Sequence, residues 1–289
     1  MHIENPYALT DGVWLRANLH AHTTRSDGRR TPQALVDIYR ELGYDVLMIS
    51  DHDQVTPLED LQGHGLILIG GNEITANGVH ICHIGAATAI APEPERQRAI
   101  DQINAAGGLA IINHPNWESS FDHCPYALLQ TWQGYHGVEI YNGVCERHPG
   151  DPLATNKWDR LLGDGRRAWA YANDDTHRPD VDEGRAWNMI WARVRSLEAV
   201  MEALRTGSSY CSTGVMLDQI AVEGKVFTIR GDKVQRIAAV ANYGRRVMTV
   251  DTGRMKLTLP DDFTGTYIRF ECWGQGDARA WTQPFYVER

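Results

Sequence analysis

Residues 14–23, Trp14-Leu-Arg-Ala-Asn18-Leu-His20-Ala-His22-Thr23, are the stretch that decides the fold. They read as a strand that runs into a Gly- and Asp-containing loop at 26–30. Residues two apart on a strand share a face, so His20 and His22 project both imidazoles to one side. Neutral ring nitrogens presented together suit a transition-metal ion. Working outward, four further apolar strands end on the same kind of residue. Strand 45–50 runs into Asp51-His52-Asp53, strand 66–72 into Glu73, strand 109–113 into His114-Pro115, and strand 168–172 into Asn173-Asp174-Asp175-Thr176-His177. Asp175 and His177 repeat the i, i+2 spacing of the first pair. A further strand is expected at 79–84.

Between these strands lie helical patterns. Thr31-Pro32 supplies a cap and a first-turn proline for a helix with apolar spacing at Leu35, Ile38, Tyr39 and Leu42. Others are expected at 92–106, ended by Gly107-Gly108, at 151–162 and at 196–205. Strands alternating with helices of this length indicate βα units and a parallel sheet. Barrels of such units build their active sites at the C-terminal ends of the strands. The expected fold class is α/β, a metal-centred barrel spanning residues 1–210. From 211 to 289 the pattern becomes short apolar or alternating runs separated by Gly, Asp and Pro. Strands at 219–222, 225–229, 237–243, 246–250, 256–259, 267–273 and 284–287 make this a small, sandwich-like all-β module. The sequence shows no internal repeat and no low-complexity tract.

Composition excludes several classes. Hydrophobic residues make up 43% and charged residues 22% of the 289, a globular balance that rules out disorder and coiled coil. No apolar run approaches a bilayer span, and the first ten residues lack the basic-then-apolar order of a signal peptide, so a cytoplasmic protein is expected. With 28 Lys and Arg against 37 Asp and Glu, the net charge is −9. That argues against an extended nucleic-acid surface but not against a small anionic substrate held by metal. The five cysteines, Cys82, Cys124, Cys145, Cys211 and Cys272, are widely spaced and odd in number, so reduced core thiols are expected rather than disulfides or a zinc knuckle.

His20, His22, Asp27, His52, Glu73, His114, Asp175 and His177 are more ligands than one ion can take while keeping an open catalytic position. Two or three divalent ions sharing a carboxylate is the economical arrangement, with Glu73 the candidate bridge. Coincidence would have to repeat at five strand ends to explain them otherwise. Asp27 alone is also compatible with an Asx turn.

Taken in order, Asn18-Leu-His-Ala-His-Thr23, Ile49-Ser-Asp-His-Asp53, Gly71-Asn-Glu73, Asn113-His-Pro115 and Asp174-Asp-Thr-His177 resemble the motif series of the PHP (polymerase and histidinol phosphatase) superfamily. Val138-Glu-Ile-Tyr-Asn-Gly143, Tyr210-Cys-Ser-Thr-Gly214 and Ala280-Trp-Thr-Gln-Pro-Phe285 are similar to a subgroup named after carbaryl hydrolase, in which a C-terminal β module also follows. The resemblance implies a distorted seven-stranded (β/α) barrel with a di- or trinuclear centre, and the mixed His and carboxylate ligands suit Mn, Fe or Zn alike. It places His20, His22, Glu73 and Asp175 on one ion, Asp27, His52 and His177 on a second, and His114 with Glu73 on a third. His80 matches the pattern, but His83 in the same stretch competes with it. The two face opposite sides of a regular strand, and a one-residue bulge would swap them.

The chemistry that follows is hydrolysis. Divalent ions lower the pKa of a shared water, and the same charges stabilise what develops on substrate oxygens. Dications outweigh the carboxylates of Asp27, Glu73 and Asp175, so the pocket attracts anions despite the overall charge. Glu73 and Asp175 act at the reacting centre, His80 is a candidate proton donor to the leaving group, and Arg25, Arg147, Arg178 and Arg185 are candidate phosphate grips. The expected activity is phosphoester hydrolysis on a small phosphomonoester or phosphodiester. A carbamate or carboxylic ester hydrolase using the same centre is the first alternative, and a metal-stabilised binding module without catalysis is the second. Asp51 and Asp174 are expected to orient ligands or cap turns, and Asp53 to be a solvated loop carboxylate. Glu139 and Asn142 read equally as strand-end polarity. Trp117, Trp158 and Trp187 lie near site motifs, whereas His64, His123, His136 and His148 receive no role.

Overall fold

The structure, a computed structural model, describes residues 1–288. The first part of the chain runs β1 (His2–Ile3), β2 (Val13–Asn18), α1 (Pro32–Glu41), β3 (Val46–Ile49), β4 (Ile67–Ile74), β5 (Ile81–Ile84), α2 (Arg96–Ala105) and β6 (Leu109–Ile112). It continues through α3 (Tyr126–Thr131), β7 (Gly137–Asn142), α4 (Thr155–Gly163), β8 (Trp169–Asn173), β9 (Trp187–Ala192), α5 (Leu197–Thr206) and β10 (Ser209–Ser212). Eight strands follow: β11 (Gln219–Glu223), β12 (Val226–Arg230), β13 (Arg236–Ala241), β14 (Arg245–Val250), β15 (Arg254–Thr258), β16 (Tyr267–Trp273), β17 (Arg279–Thr282) and β18 (Phe285–Glu288).

Helix starts follow local chemistry. Thr31 Oγ1 accepts from the Ala34 amide, with Pro32 at the first turn of α1, and Ser196 caps α5 in the same way. Left-handed Gly207 ends α5. Two helices begin later than the apolar spacing suggests. Pro94 disfavours helical backbone at Glu93, so α2 starts at Arg96. Asp151 accepts the Leu153 amide through its side chain at 2.9 Å, and this turn delays α4 to Thr155.

The central sheet has the order β9-β2-β3-β4-β5-β6-β7-β8. It is mostly parallel, but β5 runs antiparallel to both β4 and β6, and β9 antiparallel to β2. This corrects the expectation of a parallel sheet at β5 and β9. Residues 75–80 are a hairpin connection too short for a crossover helix. The reversal matters for the site, because β5 presents its N-terminal end, and so His80, to the rim where its neighbours present their C-terminal ends. Beyond β8 the sheet edge returns to β2. Ala21 bridges Thr176 in parallel, the His22 amide donates to Thr176 O at 2.9 Å, and the Asp175 amide donates to His20 O at 3.0 Å.

The C-terminal part is all-β, as expected. Its larger sheet continues the central one through β10, β17, β16 and β18, with β13 and β14 beyond β16, and β11, β12 and β15 form a separate sheet. Phe227 of β12 lies 5.6 Å from Phe270 of β16 and 5.1 Å from Phe285 of β18, ring centre to ring centre, so the two sheets share a core. Residue 210 lies within β10, which pairs with β9 on one side and β17 on the other. Both hydrophobic clusters draw residues from either side of that position, Tyr171 with Trp281 and Tyr286 in one, Tyr39 with Phe227 and Phe270 in the other. All five cysteines are buried and free.

Candidate metal centre

At the rim, Glu73 sits at the centre of five imidazoles. Its Oε1 lies 3.3 Å from His20 Nε2, 3.2 Å from His80 Nδ1 and 3.2 Å from His114 Nε2. Its Oε2 lies 3.0 Å from His52 Nδ1 and 3.6 Å from His22 Nε2. The two oxygens therefore serve different groups of rings, which is what a bridging carboxylate must do. Asp175 Oδ1 lies 3.2 Å from His20 Nε2 and 3.1 Å from His22 Nε2. Asp27 Oδ1 lies 3.3 Å from His52 Nε2 and 3.2 Å from His177 Nε2.

The structure thus brings all eight expected ligands and His80 to one place. His22, Asp27, His52 and His177 form one set whose ligand atoms lie within 4.8 Å of one another; His20, His22 and Glu73 form another, and His80, His114 and His123 a third. Backbone conformation contributes, because His114 (φ 26°) and Asp175 (φ 54°) are left-handed non-glycine residues at the ends of β6 and β8. Such strain persists only where surroundings over-determine it, and it collects at functional sites. Gly28 is needed on steric grounds, since a Cβ there would collide with the His22 carbonyl and push away the loop that carries Asp27.

Whether these residues fit metal ions is tested by the partners they lack. Among the described residues, His20 Nε2, His22 Nε2, His52 Nδ1, His80 Nδ1 and Asp175 Oδ1 are buried without a well-directed hydrogen bond. Buried polar atoms in folded proteins are almost always satisfied, and a cluster of orphans converging on carboxylates fits a bound cation. The tautomers agree. His20 Nδ1–H donates to Glu139 Oε1 at 3.0 Å and His177 Nδ1–H to the Asp175 carbonyl at 2.8 Å, leaving the Nε2 lone pair of each ring facing the centre. A mixed nitrogen and carboxylate set of this kind suits Mn, Fe or Zn.

Without ions, the same crowding sets the protonation of the rings. Burial lowers the pKa of His52 and His177, but Asp27 with Glu73, and Asp175 with Asp27, outweigh it and hold them up at about 10 and about 9. Burial raises Glu73 and Asp175, yet the surrounding imidazolium charges hold both well below the usual carboxylate range. His22 goes the other way, to about 4, because burial and the neighbouring His177 overcome its carboxylate contacts.

The supporting residues were only partly foreseen. Glu139 is not strand-end polarity: it is fully buried on β7, accepting from His20 Nδ1, Asn173 Nδ2, the His114 amide and Asn142 Nδ2 at 2.8–3.0 Å. A charged residue inside an otherwise apolar strand was the available signal. Asp51 accepts from the Thr23 amide and hydroxyl, Ser26 and Thr56, fixing the loop that leads to Asp27. Asp174 accepts from Tyr39 and three amides at 184–186. Asp53 is not simply solvated, since it accepts from Thr75 and the Ala76 amide. His83 lies on the opposite face of β5, against Gly108, and burial takes its pKa down to about 4.

A cavity of about 320 Å³ opens over the centre. Trp117, Val144 and Cys145 line it together with Arg29, Arg147, His148 and Arg178. Arg147 is held by Asp182 in a two-point ion pair at 2.9 and 2.8 Å. Arg25 and Arg185 lie outside this lining, and Arg185 donates to the Val181 carbonyl. Arg29 was not anticipated; it follows Asp27 by two residues in the same loop.

No protein-family model matches the chain, and no curated protein matches it significantly. Solved structures do. A two-domain protein from Bacteroides vulgatus ATCC 8482, containing a predicted PHP-like metal-dependent phosphoesterase, aligns over 100% of this chain and 92% of its own, with a TM-score of 0.56 and 18% identity. A predicted metal-dependent phosphoesterase from Bifidobacterium adolescentis ATCC 15703 aligns over 69% of this chain and 97% of its own (TM-score 0.48, 16% identity). A sulfate-bound, metal-free amidohydrolase from Chromobacterium violaceum aligns over 57% and 89% (TM-score 0.43, 17% identity). This chain therefore shares the overall fold of the Bacteroides protein, which here is a mixed α/β part followed by an all-β part. None of these three is described as a carbaryl hydrolase.

Proposed function

We propose that this chain is a metal-dependent hydrolase of the PHP type that cleaves a phosphoester, either a small phosphomonoester or a phosphodiester. The observation that carries the reading is Glu73, whose two oxygens face separate groups of imidazole nitrogens, three at Oε1 and two at Oε2. In this reading β2 to β8 form a distorted seven-stranded barrel, and residues 211–289 are an appended β module.

Two or three divalent ions held here would supply hydroxide at neutral pH and neutralise charge developing on substrate oxygens. His20, His22, Glu73 and Asp175 would hold one ion. Asp27, His52 and His177, together with Glu73, would hold a second, and His80, His114 and Glu73 a third. His80 turns Nδ1 onto Glu73, and this favours a ligand role over protonation of the leaving group. Arg29 and Arg178 stand at the cavity without a paired carboxylate among the described residues and can grip an anionic substrate, while Arg147 is orientated by Asp182. Trp117 forms the apolar wall. The neighbours described as phosphoesterases support the same class of chemistry.

The test is elemental analysis of protein purified without chelators, paired with initial rates on p-nitrophenyl phosphate, bis-p-nitrophenyl phosphate and p-nitrophenyl acetate. Two or three equivalents of metal with phosphate-ester turnover are expected. Metal with acetate turnover alone would replace this reading by the carbamate or ester hydrolase, and metal with no turnover by the binding module.

A further inference from the structure

The peptide group joining Val79 to His80 is held at both ends by side chains that lie outside the expected ligand set. Arg96 Nε, from the first residue of α2, donates to the Val79 carbonyl at 2.7 Å. On the other end of the same peptide, the His80 amide donates to His123 Nε2 at 3.1 Å. The next carbonyl, His80 O, accepts from the Asn113 amide at 3.1 Å. Little freedom remains for the backbone that aims His80 Nδ1 at Glu73.

Both clamps are themselves anchored. The Arg96 guanidinium is buried and also donates to the carbonyls of Glu93, Thr75 and Ala76, so it spans the whole turn between β4 and β5. His123 must accept at Nε2, which leaves its Nδ1–H to donate to Glu118 Oε1 at 3.0 Å. It sits in the loop 115–124, whose neck is closed by the buried ammonium of Lys157, bonded to the carbonyls of Pro115 and Cys124 at 2.8 Å each and to Asp122 at 2.7 Å. Trp117 fills this loop and packs against His80, His114 and His123 at 5.0–5.5 Å. Compact surface loops with tied ends are a frequent means of holding functional groups.

We propose that His123 and Arg96 are positioning residues that set the occupancy of the ion held by His80, His114 and Glu73, acting through the Val79–His80 peptide and not as ligands. The ring of His123 lies 4.6 Å from that of His80 and 5.1 Å from that of His114, centre to centre, so its proximity alone would suit a ligand equally well. Its bonding decides otherwise, because Nε2 already accepts from the His80 amide and Nδ1 already serves Glu118. The inference rests on the metal-dependent reading above, and the experiment separates the two.

Metal content and chelator-competition affinity are compared for the wild-type chain, His123→Ala, His123→Gln and Arg96→Met. Gln keeps an oxygen that accepts the His80 amide but removes the imidazole. In His123→Ala and Arg96→Met the weakest-held equivalent should loosen by roughly tenfold or more, the range seen when support of a ligand is lost, while the other equivalents keep their affinity. His123→Gln should stay near the wild type. Unchanged affinities in His123→Ala would overturn the proposal. Equal loss in Ala and Gln variants would overturn it in favour of direct ligation. Loss of all metal in folded His123→Ala would overturn the confinement to one ion. A wild-type chain that binds no metal would defeat the functional reading itself.

Discussion

Glu139 Oε1 lies 3.0 Å from His20 Nδ1, and Glu139 Oε2 lies 2.9 Å from the His114 amide, so one buried carboxylate orientates two ligand residues that follow separate strands, β2 and β6. His20→Glu139 fixes the ring tautomer with Nε2 free, and the bond to the His114 amide holds that residue in its left-handed turn. Glu139→Gln is close in shape but accepts through only one of its two side-chain atoms. It should weaken metal binding roughly 10–100-fold while the chain still folds. Chelator competition on the variant checks this, and unchanged affinity would leave Glu139 with a purely structural role.

Glu73 is the residue whose loss should be most severe. Asp27 and Asp175 each face three imidazoles, whereas Glu73 faces five and divides them between its two oxygens. Glu73→Gln should therefore remove more metal than any other single ligand substitution, and more than one equivalent. Elemental analysis of Glu73→Gln beside His177→Ala makes the comparison, and equal losses would mean that Glu73 does not bridge.

The contrast between these residues and the supporting shell shows what the sequence can carry. His20, His22, His52, Glu73, His114, Asp175 and His177 are legible because their types recur at strand ends, and a strand end has one direction in an alternating βα chain. The all-β character after residue 210 is legible from its turn spacing. His123 is not, because its place depends on the fold of the 115–124 loop, and that loop is tied by Lys157 some thirty residues further on. The reversal of β5 is likewise hidden, since a four-residue strand, Ile81–Ile84, fits either direction. Arg25 and Arg29 show the same limit at close range: they flank one short loop, and only its path decides which reaches the cavity.

Metal-free protein should have a stability optimum near pH 6.5. His52 and His177, raised to about 10 and about 9, contribute stability that is complete below their unfolded value of about 6.5 and is lost as pH rises through 9–10. His22, His83 and His123, each lowered to about 4, contribute stability that is present above about 6.5 and lost as pH falls towards 4. The metal-loaded protein should lose the alkaline flank, because ions bind the neutral rings and take over the pairing of Asp27 and Glu73. Thermal melts of both forms from pH 5 to 10 test this. Parallel curves would show that metal does not occupy these rings.

Arg29 and Arg178 should matter for anionic substrates alone. Either one changed to Ala should raise KM for a phosphoester by about tenfold, the value of roughly one charge-assisted hydrogen bond, and leave a neutral ester unaffected. Arg25→Ala and Arg185→Ala, outside the cavity lining, should change neither. Steady-state kinetics on the four variants decide it, and equal effects on charged and neutral esters would remove the arginines from substrate binding.

The junction of the two parts offers a prediction independent of metal. Asp159 on α4 receives Arg269 Nε at 2.7 Å and Nη2 at 2.6 Å, both buried, and the Tyr267 hydroxyl at 2.9 Å. Among the described residues Arg269 Nη1 has no hydrogen-bond partner, and Glu271 lies 3.8 Å from it, so the guanidinium depends on Asp159. Asp159→Ala strands a buried cation and should cost about 3–5 kcal/mol, the range for breaking a buried pair by removing one partner. Changing both residues to apolar ones of similar volume should cost far less, because the desolvation of the charge disappears with it. Denaturant unfolding of the single and double variants measures the difference. A single variant within about 1 kcal/mol of the wild type would mean that water reaches the pair and that the contact between α4 and β16 is looser than its buried geometry implies.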